Sequence, residues 1–203
     1  MCSETFLRLP EEKRKRIIDA AWEEFTRVRY TDASINQIVR RARIPRGSFY
    51  QYFTDKESLV AYLLGGAWDY LVEAYSGMLH EQGGDLFALQ IACFDRFQDQ
   101  CREGIDPVLN RFLCFLRLNQ GLDIQNLVCG RPLSVMFERA LPEIDRSMLR
   151  QQDEPFIRHV LTLSLMTLAH MVVESIIHPE KADECRKDLL ARLEIIRCGS
   201  VKQ

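Results

Sequence analysis

Apolar residues recur with helical spacing along almost the whole chain, and no segment shows the sustained alternation that is typical of a strand. A first helix is predicted to begin near Pro10, since Glu11 and Glu12 suit the positive end of a helix dipole. Its apolar stripe comprises Ile17, Ile18, Ala21, Trp22 and Phe25. Later helices are predicted at about 85–102, 106–119, 123–140, 154–177 and 180–197, with prolines marking ends or kinks. The pattern therefore predicts an all-α protein.

Residues 34–59 predict two short helices joined by a tight basic turn and followed by the start of a long helix. Ser34 with Gln37, and Thr54 with Glu57, have the spacing of capping boxes. One face of the pair is apolar and is expected to form a small core of Ile35, Ile38, Val39, Ala42, Phe49 and Phe53. The second helix would present Arg46, Ser48, Tyr50, Gln51 and Tyr52. Because helices this short bury little apolar surface, the arrangement favours presentation of polar side chains to a nucleic-acid groove.

Gly65-Gly66 interrupts the long helix, and each glycine costs about 1 kcal/mol relative to alanine in a helix interior. Two interpretations are open: close packing against a neighbouring helix, and a bendable joint between two domains. We place the domain boundary here. Residues 1–64 are then a helix-turn-helix domain, and residues 65–203 are a larger helical domain.

The predicted helix at 154–177 is apolar nearly all round, so both of its sides must be covered. One side can pack in the chain's own core, and a second copy of the chain is the simplest cover for the other. The predicted helix at 180–197 offers a matching stripe of Leu189, Leu190, Leu193 and Ile196. Two helices from each subunit would then form a four-helix dimer interface.

Nothing in the sequence predicts secretion or a membrane span. The start of the chain lacks the apolar segment of a secretory signal. The most apolar run, residues 160–173, is shorter than the roughly 20 residues that cross a bilayer. We therefore expect a cytoplasmic protein that does not contact a membrane.

The formal net charge of −2 hides an asymmetry along the chain. Residues 1–64 contain 12 basic and 9 acidic residues, whereas the remainder contains 15 and 20. Residues 27–56 alone contain 7 basic residues and 2 acidic ones. A local basic patch on an acidic chain is typical of phosphate binding, although a solvated helix face gives the same pattern.

Seven cysteines are scattered along the chain, and none lies in a CxxC or similar metal-type spacing. We expect most of them to be reduced and buried as small hydrophobic residues. The alternative is a redox-sensing pair, for which Cys93 and Cys101 would share a helix face.

Residues 10–64 resemble the N-terminal DNA-binding domain of the TetR family of bacterial transcriptional regulators. Family members commonly read I-A-x-x-A-G-V-S-x-G-x-x-Y-x-x-F-x-x-K-x-x-L, and residues 38–59 read IVRRARIPRGSFYQYFTDKESL. The matching positions are Ile38, Ala42, Gly47, Tyr50, Phe53, Lys56 and Leu59. Three positions depart from the pattern: Val39 replaces a smaller alanine, Arg43 replaces the turn glycine and Pro45 replaces serine. If position 43 needs a left-handed backbone, arginine costs about 1 kcal/mol there.

The resemblance implies a homodimeric repressor. Its two recognition helices would read a palindromic double-stranded DNA operator, and a small molecule bound to the C-terminal domain would release it. Carried onto matching positions, the implied DNA contacts are Ser34, Asn36, Arg46, Gly47, Ser48, Tyr50, Gln51, Tyr52 and Lys56. Arg46 would reach a guanine edge or a phosphate, and Lys56 would clamp a phosphate. Ser34 has an equal alternative role as a helix cap. Tyr52 has the alternative of lying at the edge of the core.

The ligand pocket is the least determined part of the prediction. Its candidate residues are Phe94, Phe112, Phe115, Met136, Met166 and His170. An apolar or amphipathic small molecule is expected. No motif for a cofactor or a metal is present in the sequence.

Three other functions are open on the residues alone. His159, His170 and Glu174 share a face of one predicted helix and suit metal binding or acid–base catalysis, although no nucleophile motif or phosphate loop accompanies them. A regulator that senses redox state through its cysteines is a second alternative. A ligand- or protein-binding regulator with an inactive DNA-binding domain is a third.

Overall fold

The computed structural model describes residues 2–119 and 133–202, with side chains described for residues 2–119 and 137–202. These residues form α1 (Glu4–Leu7), α2 (Glu11–Phe25), α3 (Ile35–Arg41), α4 (Arg46–Tyr52), α5 (Lys56–Glu81), α6 (Leu86–Glu103), α7 (Pro107–Leu118), α8 (Leu133–Ala140), α9 (Glu154–Ile177) and α10 (Ala182–Ser200). A 3-10 turn, Pro179–Lys181, precedes α10. Within the described ranges there is no strand, only two isolated bridge pairs. The all-α prediction is confirmed, while the predicted start of α8 near residue 123 lies outside the described residues.

The chain divides into two compact units. The first comprises Met1–Leu71 and Asp106–Pro132, and the second comprises Val72–Ile105 and Leu133–Gln203. Helix α5 runs from one unit into the other, and α7 belongs to the first unit although it is distant in sequence. The functional boundary at residues 64/65 stays a prediction.

The first unit is organised around an aromatic core. Phe49 and Phe53 are buried there, as the small core of the two short helices predicts. The sequence pattern missed α1, which begins where the Ser3 hydroxyl accepts a hydrogen bond from the Phe6 N–H at 3.3 Å. The Phe6 ring is fully buried, and its centroid lies 4.7 Å from that of Phe53.

Both predicted capping boxes differ in the structure. Ser34 has an extended backbone at the start of α3 but makes no side-chain capping bond, and its own N–H is bound by a carboxylate of α2 instead of the predicted Gln37. The second box lies one residue later than predicted. The Ser58 N–H donates to Asp55 Oδ1 at 2.7 Å, and the Asp55 N–H donates to Ser58 Oγ at 3.2 Å. Aspartate therefore replaces Thr54 as the capping side chain of α5.

Helix α5 is continuous through Gly65 and Gly66, so the predicted interruption is wrong. A Cβ atom added at either glycine would meet nothing within 4 Å outside the local helix. Close packing against a neighbouring helix therefore does not explain these glycines. The interpretation as a bendable joint stays a prediction.

In the second unit, α9 packs against α6 and α10 around a core of Phe94, Leu168, Met171, Cys185, Leu189 and Leu193. Leu189 and Leu193, predicted as part of a matching interface stripe, are therefore buried in the chain's own core. The opposite side of α9 leaves Leu163, Met166, Val173 and Ile177 about half exposed. Among the described helices, α9 alone is long and apolar enough to cross a membrane by composition, and 33% of its most apolar window is buried. Core helices pass the same test.

Candidate nucleic-acid interface

Helix α4 separates its side chains cleanly between core and surface. Arg46, Gly47, Tyr50 and Gln51 are exposed and Ser48 is half-buried, whereas Phe49 is fully buried. A Cβ added at Gly47 meets nothing within 4 Å, so this part of the helix backbone is open to close approach. The five polar or small positions expected to meet DNA therefore share one accessible face.

Arg46 is held in place by two neutral side chains. Its Nη1 donates to Asn36 Oδ1 at 2.7 Å, and its Nη2 donates to the Tyr50 hydroxyl at 3.3 Å. The guanidinium carbon also lies 5.9 Å from the centroid of the Tyr50 ring, within the range of a cation–π interaction. Asn36, from α3, thus joins two residues of α4, and the positive charge is not neutralised by a carboxylate.

The turn between α3 and α4 has the left-handed backbone considered for position 43. Arg43 has φ 53° and is the only non-glycine residue with positive φ in the described chain. The Ile44 N–H donates to Val39 O at 3.0 Å and closes the turn. The arginine side chain is exposed, so it adds positive charge beside α4 while the backbone stores about 1 kcal/mol of strain.

Glu24 is a structural residue that the sequence interpretation missed. Its side chain is 1% exposed and accepts bonds from Arg27 at 2.9 Å, Arg41 at 2.6 Å and the Ser34 N–H at 3.1 Å. Burial raises the pKa of Glu24, but the bonds from Arg27, Arg41 and the Ser34 N–H outweigh it and hold the pKa below its ordinary value. The sequence indicated this burial through the spacing from Ile17, because a residue seven positions later lies on the same apolar face of the helix.

Lys56, which the resemblance implies as a phosphate clamp, bonds to backbone carbonyls of its own chain. Its Nζ donates to Tyr30 O at 2.6 Å, Ala33 O at 3.1 Å and Thr31 O at 3.2 Å. It also lies 4.6 Å from the centroid of the Tyr30 ring. Because an ammonium group has three N–H donors, all of them are used in holding the segment between α2 and α3. In the free protein the carbonyls of this segment hold the ammonium, and the phosphate contact of Lys56 stays a prediction.

The structure favours the alternative place of Tyr52 in the core and contradicts the capping alternative of Ser34, whose DNA contact stays a prediction. Tyr52 is 4% exposed, and its ring packs 5.9 Å from that of Phe6, so it cannot stack on thymine methyl groups. The presence of α1 decides this, because α1 covers the side of α4 on which Tyr52 lies. Ser34 is half-buried and fixed through its N–H, and its side chain makes no capping bond.

The basic patch is smaller than the sequence suggests. Arg27 and Arg41 pair with Glu24, and the Lys56 ammonium is bound by carbonyls. Arg29, Arg40 and Arg43 are exposed, with no side-chain partner in the described part of the chain. These three and Arg46 are the cations left to meet an anionic partner.

Comparison with known proteins agrees with this domain. Residues 17–63 match the family model of the bacterial regulatory proteins of the tetR family. The N-terminal domain of the chain is a TetR-family domain. The resemblance seen in residues 10–64 is thereby confirmed.

The curated relatives match over the same part of the chain. The HTH-type transcriptional regulator SrpR of Pseudomonas putida is 48% identical over 46 residues, which are 23% of this chain and 22% of that protein. The uncharacterized HTH-type transcriptional regulator YdgC of Bacillus subtilis is 42% identical over 53 residues, 26% of this chain and 27% of that protein. The matches therefore span only about a quarter of these relatives.

Solved structures extend the likeness to the whole fold. SmeT, the repressor of the Stenotrophomonas maltophilia multidrug efflux pump SmeDEF, aligns with a TM-score of 0.63 at 19% identity, covering 98% of this chain and 93% of that one. The reduced form of NemR from E. coli aligns with a TM-score of 0.58 at 16% identity, covering 91% and 96%. At this identity the likeness shows a shared fold, which includes the helices of the second unit.

The candidate ligand residues are dispersed in the described structure. Phe112 and Phe115 pack in the core of the first unit, and Phe94 packs in the core of the second. Met166 and His170 lie on the exposed face of α9, and the side chain of Met136 lies outside the described residues. A groove of about 290 Å³ contains Phe94 but is otherwise lined mostly by charged and polar side chains, without Met166 or His170.

The histidines and cysteines do not gather into reactive sites in the described chain. His159 and His170 are exposed on α9, and no group of three potential metal ligands occurs among the described residues.

Cys93 and Cys101 are eight residues apart on α6, about 12 Å along the helix, whereas a disulfide requires Cα atoms within about 7 Å. Burial raises the pKa of Cys93 to about 12, which disfavours a reactive thiolate. The six described cysteines are free thiols, but only Cys185 is fully buried, so the expectation that most of them are buried is wrong.

Proposed function

We propose that this protein is a DNA-binding transcriptional regulator, acting as a homodimeric repressor on a palindromic operator and released by a small-molecule ligand. The observation that carries the proposal is the exposed face of α4. It presents Arg46, Tyr50 and Gln51 over a packed aromatic core, and residues 34–54 contain no acidic residue. Such a face has only favourable charge interactions with a phosphate backbone.

The dimer is supported by the uncovered side of α9. Leu163, Met166, Val173 and Ile177 are about half exposed, and with His170 between them they follow a spacing of three and four residues. This is the spacing of a helix face that packs on another helix. A second copy of the chain is the occupant we propose, because two-fold pairing places two DNA-binding domains on one palindrome.

The ligand is supported by a buried polar cluster in the second unit. Gln90 of α6 is fully buried, and its Nε2 donates to the Tyr75 hydroxyl at 2.7 Å and Ser164 Oγ at 3.2 Å. Its Oε1 is buried and has no hydrogen-bond partner among the residues that the structure describes. Since buried polar atoms are nearly always bonded, we propose an apolar ligand that carries one hydrogen-bond donor. Titration calorimetry with phenols and their matched methyl ethers tests this, and equal binding of the two would contradict the Gln90 contact.

DNA binding is tested by selecting sequences from a randomised double-stranded library with the purified full-length protein. We expect enrichment of a palindromic sequence. Its affinity should fall with salt, with a slope of about −0.9 in log–log form for each phosphate contacted. Recovery of unenriched DNA, or binding that does not change with salt, would refute the proposal.

A further inference from the structure

The unused hydrogen-bonding groups of Asn36, Arg46 and Tyr50 are mostly donors, since each acceptor oxygen already receives a bond from Arg46. Arg46 uses two of its five N–H groups, on Asn36 and Tyr50, and three remain. The Oδ1 atom of Asn36 is occupied by Arg46, while its Nδ2 has no partner in the described chain. The Tyr50 hydroxyl accepts from Arg46, so its own hydrogen is left to donate. We call Asn36, Arg46 and Tyr50 the donor triad.

A surface that offers mainly donors favours a target that offers acceptors. In the major groove, guanine presents two acceptors, N7 and O6. Adenine presents one acceptor and one donor, thymine one acceptor and a methyl group, and cytosine a donor. Guanine therefore matches the donor triad best, because its edge offers two acceptors, whereas adenine and cytosine each present a donor and thymine offers a single acceptor.

The way Arg46 is held distinguishes base recognition from a phosphate contact, the other source of acceptors. A phosphate contact needs only a nearby positive charge, which a mobile side chain supplies. Here α3 and α4 each contribute one neutral partner and so fix the plane of the guanidinium. A fixed plane is what two parallel bonds to one base edge require.

We propose that Arg46 reads a guanine in each operator half-site and that Asn36 is its positioning residue. The proposal rests on the proposed function, since it presumes that α4 enters the major groove. The Asn36 amide holds the guanidinium from the neighbouring helix. It then donates through Nδ2 to an acceptor next to the guanine.

Arg46→Lys separates the two roles of Arg46. Lysine keeps the positive charge but lacks the planar pair of donors. After selection from the randomised library, we expect the Arg46→Lys protein to lose its preference for guanine at one position of each half-site by about 5- to 150-fold, the range for one bidentate contact. Preferences at other positions and the salt slope should stay unchanged. Arg8→Lys, at an exposed arginine paired with Glu4 at 2.7 Å, is the matched control and should keep every preference.

Two substitutions at Asn36 separate geometry from charge. Asn36→Ala releases Arg46 and should weaken the preference for guanine, with an unchanged thermal midpoint. Asn36→Asp still accepts the bond from Arg46 but adds a negative charge. It should therefore keep the preference for guanine while lowering the affinity for all sequences.

The outcomes distinguish this inference from the proposed function. If the wild-type protein selects no sequence, the proposed function fails. If it selects a palindrome but Arg46→Lys keeps the same base preferences, Arg46 contacts a phosphate and the inference is overturned. If Asn36→Ala keeps the preference for guanine, the positioning role of Asn36 is overturned.

Discussion

At the scale of single residues, Glu24 of α2 connects the segment after α2 with both ends of α3. Its carboxylate bonds to Arg27 at the end of α2, to the Ser34 N–H at the start of α3 and to Arg41 at the end of α3. A buried carboxylate with these partners contributes stability only while it is ionised. Its presence makes the first unit sensitive to acid.

Glu24→Gln should lower the free energy of unfolding at pH 7 by about 3 kcal/mol, because Arg27 and Arg41 lose the buried negative charge to which they bond. The pKa of Glu24 is lowered in the folded state, so its contribution is complete above the ordinary value of 4.5 and is lost as pH falls below it. The variant should therefore lose less stability than wild type between pH 5 and pH 3, as measured by urea unfolding. Glu23→Gln is the matched control, since Glu23 is 63% exposed and contacts only Arg41. An equal loss in the two variants would contradict the role of Glu24.

Lys56→Met removes three bonds to carbonyls while keeping most of the side-chain stem. We expect a loss of about 2–3 kcal/mol in the free energy of unfolding, since each bond to a charged group is worth about 1.5–3 kcal/mol and the carbonyls regain water. Lys187→Met, at an exposed lysine of α10, is the matched control and should change the free energy of unfolding little. The salt slope of DNA binding should not change. A slope reduced by about one, with unchanged stability, would instead indicate a phosphate contact.

At the scale of elements, the turn after α5 is packed more tightly than its two glycines suggest. Gly83 and Gly84 both have positive φ, at 61° and 84°. Gly84 O accepts a bond from the Asp145 N–H at 3.0 Å, which joins this turn to the segment before α9. A Cβ at Gly84 would lie 2.5 Å from Glu143 O and 2.6 Å from Asp145 N, whereas one at Gly83 would meet nothing within 4 Å.

Gly84→Ala should therefore be far more damaging than Gly83→Ala. Gly83→Ala incurs only the left-handed backbone cost, about 1 kcal/mol. Gly84→Ala adds overlap with two backbone atoms that cannot rotate away, for a total of about 3 kcal/mol or more. Thermal unfolding of the two variants measures the difference. Equal shifts in Tm would show that the segment at 143–145 does not pack on the turn as described.

At the scale of the whole molecule, the uncovered face of α9 determines the proposed oligomeric state. Leu163→Glu places a charge in this face, where Leu163 is 57% exposed, so the fold of the single chain should be preserved. Sedimentation equilibrium should show a dimer for wild type and a monomer for the variant, with unchanged circular dichroism. Leu7→Glu, at a leucine that is 50% exposed in α1, is the matched control and should remain dimeric. If both variants remain dimeric, the interface lies elsewhere.

The sequence by itself determined the helical class, the order of the main helices and the core of the two short helices. These features follow from local periodicity and from the spacing between Ile38 and Leu59, which neighbouring residues are enough to set. The left-handed turn at Arg43 was also predictable, because the residue stands in place of a glycine.

Only the tertiary structure decided which polar side chains are free to act. Lys56 is bound by carbonyls from 23–26 residues earlier, and Tyr52 is covered by Phe6. Arg41 is bound by Glu24, while Asn36 holds Arg46 from another helix. These outcomes depend on which partners the fold brings within hydrogen-bonding distance, and periodicity along one helix carries no information about them. The same residue types can therefore bind DNA or hold the fold together, and their partners across helices determine which.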